Sequence, residues 1–246
     1  MDSVAPGRPA VSLVIPVYNE EHRLPRTIPG VLAFLERQGF SWEVLFADDG
    51  SADRTAEMVQ QLTGEHAGVR LLPLPHRGKG HAVRSGMLAA QGRFCFYSDV
   101  DFSVPIEDLP RFLPALEGAE VAIASREAPG AVRRAEPAYR HLMGRFYNAM
   151  VRLLLLPGIR DTQCGFKGFR HEVVSHLFSR QGMEGWGFDI ELLYMARRRG
   201  YRIVEVPVHW TYGRHSRIRP LRDSWGMFRD AWRVRWRAWR GLYRLE

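Results

Sequence analysis

Val11-Ser12-Leu13-Val14-Ile15-Pro16-Val17 is apolar on both alternations, so a strand formed there has to be covered on both faces. That asks for helices above and below a mostly parallel sheet. The residues that follow meet the demand. Arg23 to Gln38 has helical spacing through Leu24, Ile28, Val31, Leu32 and Leu35, with Pro25 tolerable in the first turn. The unit then repeats. Strands are expected at Trp42 to Ala47, Val69 to Leu74, Phe94 to Ser98 and Val121 to Ser125. Helices are expected at Asp53 to Leu62, from Gly78-Lys79-Gly80 through Ala89, and near Leu109 to Leu116. This alternation predicts the α/β class, a mostly parallel sheet flanked by helices.

The second half is less regular. Ala138 to Leu156 has helical periodicity with Tyr139, Leu142, Met143, Phe146, Tyr147 and Met150 beside Arg140, Arg145 and Arg152. Cys164 to Phe169 reads as a short strand, His171 to Ser179 and Gly187 to Arg199 as helices, and Tyr201 to Val208 as a strand. From Leu221 to Tyr243, Trp225, Phe228, Trp232, Trp236, Trp239 and Tyr243 recur at steps of three and four between arginines, an amphipathic helix. Residues 1–10 are polar and Pro-rich and are expected to be disordered, with no apolar signal core. The expected division is 11–220 as one domain, split into halves 11–126 and 127–220, and 221–246 as the helical tail.

Strand tips are where ligands gather in an open α/β sheet. Three of them carry polar side chains: Asn19 and Glu20 after the first strand, Asp48 and Asp49 after the second, Asp99 and Asp101 after the fourth. Strand alternation puts Asp99 and Asp101 on the side away from Val100, where they suit a divalent cation that also grips a diphosphate. The plainer reading is that Asp-x-Asp caps a loop. Carboxylates at such tips suit ribose hydroxyls and a base edge, but an all-acidic mouth repels a diphosphate unless a cation sits there. Gly78-Lys79-Gly80 lacks the glycine spacing and the Ser or Thr of a P-loop, so it reads as a tight turn opening a helix, with Lys79 a candidate base or phosphate contact.

Charge bears on partners. Residues 197–246 hold 14 Arg and no Lys against four acids, so the rest of this +8 chain sums to −2. A near-neutral body with a basic, aromatic tail fits a negative surface, either phospholipid or nucleic acid. The two cysteines, Cys95 and Cys164, make no disulfide framework and are expected to be reduced thiols. No apolar run approaches the roughly 20 residues that span a bilayer.

In this order, Ile15-Pro16-Val17-Tyr18-Asn19-Glu20-Glu21, Asp48-Asp49-Gly50-Ser51, Arg77-Gly78-Lys79-Gly80, Asp99-Val100-Asp101 and Ser125-Arg126 resemble the motifs of a family 2 glycosyltransferase. Arg160 to Lys167 and Trp186 to Tyr194 are similar to the dolichyl-phosphate β-glucosyltransferase branch. The resemblance covers about residues 10–220 and implies a GT-A, Rossmann-like fold. It implies nucleotide contacts from Pro16, Tyr18, Glu20, Ala47 and Asp49, beside the candidates Asn19, Asp48, Asp99 and Lys79 that the strand tips and the turn supply, and Mg²⁺ or Mn²⁺ on Asp99 and Asp101. Arg126, Arg140 and Lys167 become candidate catalytic cations, Asp189 a candidate for a sugar hydroxyl or a structural helix-start acid. Arg140, Arg214, Ser216 and Arg217 are candidates for the acceptor and its phosphate. Mannosyl-type relatives carry Gln where Ser103 stands and Lys where Asp189 stands, which favours UDP-glucose over GDP-mannose. The implied reaction is inverting transfer to a polyprenyl phosphate by a peripheral protein on the cytoplasmic face of a membrane. Competing readings are another hexosyl transferase, a soluble acceptor, or a basic nucleic-acid-binding protein, with no nucleic acid expected if the enzyme reading holds.

Overall fold

The computed structural model describes residues 8–135, 137–212 and 220–243. The first half is built of βα units: β1 (Val11–Val17), α1 (Leu24–Glu36), β2 (Trp42–Asp48), α2 (Thr55–Glu65), β3 (Val69–Pro73), α3 (Lys79–Ala89) and β4 (Phe94–Ser98). A 3-10 turn at Ile106–Arg111 leads into α4 (Phe112–Gly118) and β5 (Val121–Ser125). Then come β6 (Val132–Arg134), α5 (Ala138–Leu154), β7 (Phe166–Arg170), α6 (His171–Phe178), α7 (Phe188–Arg198), β8 (Ile203–Pro207), β9 (His209–Thr211) and α8 (Pro220–Trp239).

The main sheet runs β3-β2-β1-β4-β7-β5-β8. Its pairings are parallel except those of β7, which lies antiparallel between β4 and β5. The strand expected at Cys164 to Phe169 therefore starts two residues later and inverts the local direction, which periodicity does not report. β6 and β9 form a separate parallel pair. Both are three residues long and had no alternation to show in the sequence.

Alternation in each strand sorts the core into two layers. Leu13, Ile15, Val17, Phe94 and Phe96 pack with α1 and the Ile106–Leu116 region, while Val14, Cys95 and Tyr97 pack with α3, α6 and α7. The continuous apolar run of β1 is thus explained, since both of its faces are buried. Both cysteines are free and buried, and desolvation pushes each thiol up to about 12.

The strand order reverses between β1 and β4, so a crevice opens beyond their carboxyl ends. The β1–β4 ladder closes at Val14↔Tyr97, two residues before Pro16, whose missing N–H cannot add a rung. The β1–β2 ladder continues to Val17↔Asp48. Residues 8–10, expected to be disordered, are instead tied down, because the carbonyls of Pro9 and Ala10 accept the amides of Arg93 and Phe94. Residues 1–7 lie outside those described.

The tail stripe divides in two. On α8, Ala231 and Val234 are buried and Tyr243 beyond its end docks against Tyr194, while Trp232, Trp236 and Trp239 face outward. Those three sit at i, i+4 and i+7, one face of a helix. The side chains of Trp225 and Phe228 lie outside those described.

Candidate active site

Asp99 leaves the end of β4 and Asp101 follows in the turn that β4 enters. Asp101 Oδ1 accepts the backbone N–H of Ser103 at 3.0 Å, and Phe102 between them holds φ at 44°. A left-handed aromatic residue costs about 1–2 kcal/mol, and Asn19 at the tip of β1 also has positive φ, 53°. Backbone strain is thus placed at the two strand ends that flank the crevice.

The two carboxylates feel each other. Burial and then the charge of Asp99 raise the Asp101 pKa. The Nζ of Lys79, in the first turn of α3, lies 2.5 Å from Asp99 Oδ1 and its side chain is only 19% exposed. Burial lowers the Lys79 pKa, but the charges of Asp99 and Asp189 outweigh it and the net shift is upward. Lys79 also stands 4.8 Å from the ring centroid of Trp186, which contributes a cation–π contact. Gly165 backs the pair closely, since a Cβ there would sit 2.4 Å from Asp99 Oδ2.

This arrangement fits a divalent cation. Two acids already repel one another at a strand tip, and one has drawn in an ammonium group as counter-charge. Among the described residues no cluster of three or more His, Cys, Asp or Glu could hold a metal. Mg²⁺-type sites commonly need only one or two carboxylates, with substrate phosphates and water completing the shell.

Behind this mouth lies a second group of charges. Tyr97 and Lys167 are register partners on β4 and β7, and both reach Asp189 in the first turn of α7. Asp189 Oδ1 accepts the Tyr97 hydroxyl at 2.5 Å and Lys167 Nζ at 2.6 Å, and Nζ also donates to the Cys164 carbonyl at 2.7 Å. Burial, then Asp189, pushes the Tyr97 phenol well up. Lys167 was expected among the cations around the substrates. Its side chain is instead fully enclosed, because its strand position points into the α7 layer. Asp189, buried at the start of α7, is held by these two donors.

Arg126 is likewise engaged. Its Nε and Nη2 grip Asp161 Oδ2 and Oδ1 at 2.7 and 2.9 Å, and its guanidinium lies 5.2 Å from the Trp210 ring. Burial raises the Asp161 pKa, yet Arg126 outweighs it and holds the carboxyl well below the usual range.

The nucleotide candidates line the β1 and β2 side. Tyr18 stacks on His76 at 4.1 Å between centroids, and Pro16 pairs in register with buried Ala47. Asp48 accepts both the amide and the hydroxyl of Ser51, a local turn. Asp49 accepts the amides of Arg77 and Gly78, each at 2.9 Å, and His76 Nδ1 lies 2.8 Å from it. Asn19 receives the Ala52 amide and Glu20 pairs with Arg23. These acids hold the loops that shape the mouth. His76, Trp186 and Asp161 escaped the sequence reading as site residues, since the elements that bring them here are distant in the chain. Arg140 lies in the first turn of α5 with its side chain outside those described, and Arg214, Ser216 and Arg217 lie outside the described residues.

Residues 12–178 match the model of Glycosyl transferase family 2, two thirds of the chain. The chain belongs to that family. This family 2 glycosyltransferase is 32% identical to dolichyl-phosphate β-glucosyltransferase of Dictyostelium discoideum over 96% of the chain and 77% of that protein. It is 34% identical to the enzyme of the same name from Homo sapiens, over 96% of the chain and 78% of that protein. Its fold is GT-A. Glucosyl-3-phosphoglycerate synthase from Mycobacterium tuberculosis, solved with Mn²⁺, UDP and glucosyl-3-phosphoglycerate, superposes with a TM-score of 0.65 at 23% identity, covering 93% of this chain and 78% of that one.

Proposed function

We propose that this glycosyltransferase moves glucose from UDP-glucose to a polyprenyl phosphate at a membrane surface. The observation that carries this is the near full-length similarity to dolichyl-phosphate β-glucosyltransferases. The geometry agrees with it. Asp99 and Asp101 would hold Mg²⁺ or Mn²⁺, which supplies positive charge to the departing diphosphate. Lys79 adds a cation beside them, and Tyr18, Asn19, Glu20 and the β2 tip frame the nucleotide side. A lipid monophosphate has its second pKa near 6, so it arrives largely as a dianion and no strong base is needed. Charge neutralisation is then the main task of the protein. Arg140, Arg214, Ser216 and Arg217 are proposed for the acceptor side. Arg126 and Lys167 serve it indirectly by holding Asp161 and Asp189.

Incubation with a panel of nucleotide sugars, polyprenyl phosphates and either metal tests the reading. Transfer from UDP-glucose to the lipid is expected. Transfer from GDP-mannose alone would overturn the donor, and transfer to soluble phosphates alone would overturn the acceptor.

The membrane part rests on two neighbouring helices. No helix among the described residues is long and apolar enough to cross a bilayer. Yet α5 presents Leu142, Phe146 (74% exposed) and Leu153 (85%), and α8, packed against it, presents Trp232, Trp236 and Trp239 (84%). Exposed Arg145, Arg152, Arg229, Arg233, Arg235 and Arg240 lie among them, the composition of an interfacial helix on anionic lipid. Sedimentation with anionic vesicles should capture the chain in a salt-sensitive way. Replacing all three tryptophans with Ser should weaken capture by about tenfold or more. Equal capture of the variant would remove α8 from the contact.

A further inference from the structure

We propose that Arg237 and Tyr243, at the end of α8, are positioning residues for the donor site and act through buried Glu191 on segment 181–187. The inference rests on the donor reading above and extends it to residues far from the crevice in the chain.

Glu191 follows Asp189 by two positions on α7 and is fully buried. A carboxylate there needs several donors, and it has them from two directions. Oε2 accepts the amides of Gly182 and Met183 at 3.0 and 2.8 Å. Oε1 accepts the Tyr243 hydroxyl at 2.6 Å and lies 3.2 Å from Arg237 Nε. Arg237 Nε also donates to the Tyr243 hydroxyl, at 3.1 Å. One carboxylate thus joins the end of the tryptophan-bearing helix to the backbone of a loop.

That loop reaches the mouth. Gln181 donates to the Gly80 carbonyl at 2.7 Å, and the Gly80 amide donates to the Glu184 carbonyl at 2.7 Å. Segment 181–184 is therefore stitched to the first turn of α3, which carries Lys79, and two residues later Trp186 lies against that lysine. The packing on the other side is equally close. A Cβ on Gly182 would press on the Arg237 guanidinium, so the loop passes close against that side chain. Loosening the end of α8 withdraws two donors from a buried charge, and the loop that aligns Lys79 and Trp186 beside Asp99 loses its backing. The tryptophan-bearing helix and the wall of the donor pocket are then one mechanical unit.

The test uses the full chain with Tyr243→Phe, Arg237→Gln and Arg237→Lys, and Arg26→Gln on α1 as an exposed control. Affinity for UDP with Mn²⁺ is measured by calorimetry, alongside hydrogen exchange, melting temperature and steady-state kinetics. Tyr243→Phe and Arg237→Gln are expected to weaken UDP binding by about 3- to 30-fold. KM for the nucleotide sugar should rise with KM for the lipid phosphate unchanged, and exchange should quicken at 181–187. Arg237→Lys should recover part of the loss, and Arg26→Gln should bind UDP as the parent does. Unchanged UDP affinity in both loss variants would overturn the inference. So would faster exchange throughout the chain with a fall in melting temperature that matches the affinity loss. A parent chain that binds no uridine nucleotide would overturn the donor reading and this inference together.

Discussion

Asp101→Ala is expected to lower glycosyl transfer by about 10³-fold or more while the protein melts within a few degrees of the parent. The loss corresponds to about 4 kcal/mol in the barrier, the size found when a preorganised charge contact to a reacting group is removed. The fold should tolerate the change because the Asp101 residue is open to solvent even though neighbouring groups partly desolvate its carboxyl, and its charge is opposed by Asp99, so removal relieves a repulsion as it gives up one turn hydrogen bond. Transfer assays across a Mn²⁺ titration, with parallel thermal melts, check both halves. A loss below tenfold at saturating Mn²⁺ would mean that the acid pair does not carry the reaction.

Lys167→Met is expected to act in the opposite manner, costing stability first. The substitution leaves the Asp189 carboxylate, 6% exposed, with the Tyr97 hydroxyl but without its cation. Removing one partner of a buried pair typically costs about 3–5 kcal/mol. For a chain of this length that is a fall in melting temperature of roughly 6–20 °C. Combining it with Asp189→Asn should recover much of the loss, since a neutral amide can still accept from Tyr97 and no longer strands a charge. Urea unfolding of the single and double variants measures this. A cost under about 1 kcal/mol for Lys167→Met would show that the pair is reached by water.

These two predictions separate residues that the motifs alone had grouped. Asp99, Asp101, Lys167 and Asp189 all read as site residues, and the structure divides them by depth. The same division applies to Arg126, whose guanidinium is spent on Asp161. The basic tail raised a nucleic-acid reading as well. Family membership assigns the chain to the glycosyltransferases, and the tail's arginines stand beside the outward tryptophans of α8.

Strand parity, apolar continuity and tip chemistry are local, and they were legible. The two-faced burial of β1 follows from Val11–Val17 itself, as does the placing of Asp99 and Asp101 at the end of β4. The antiparallel entry of β7 was not legible, because strand direction depends on where the chain returns from. Lys79 on Asp99, Trp186 over Lys79, and the clasp of Glu191 by Arg237 and Tyr243 were hidden for a related reason. Each joins residues twenty or more positions apart, and their types also suit a solvated surface.

From its residues alone this chain was bound to form a doubly covered sheet with acids at the tips, since apolar periodicity and the alternation of side chains are properties of short segments. Which of its charges face the crevice and which are sealed into pairs was decided only when distant elements packed. A buried charge must find its partner wherever the fold brings one, and no local pattern encodes that meeting.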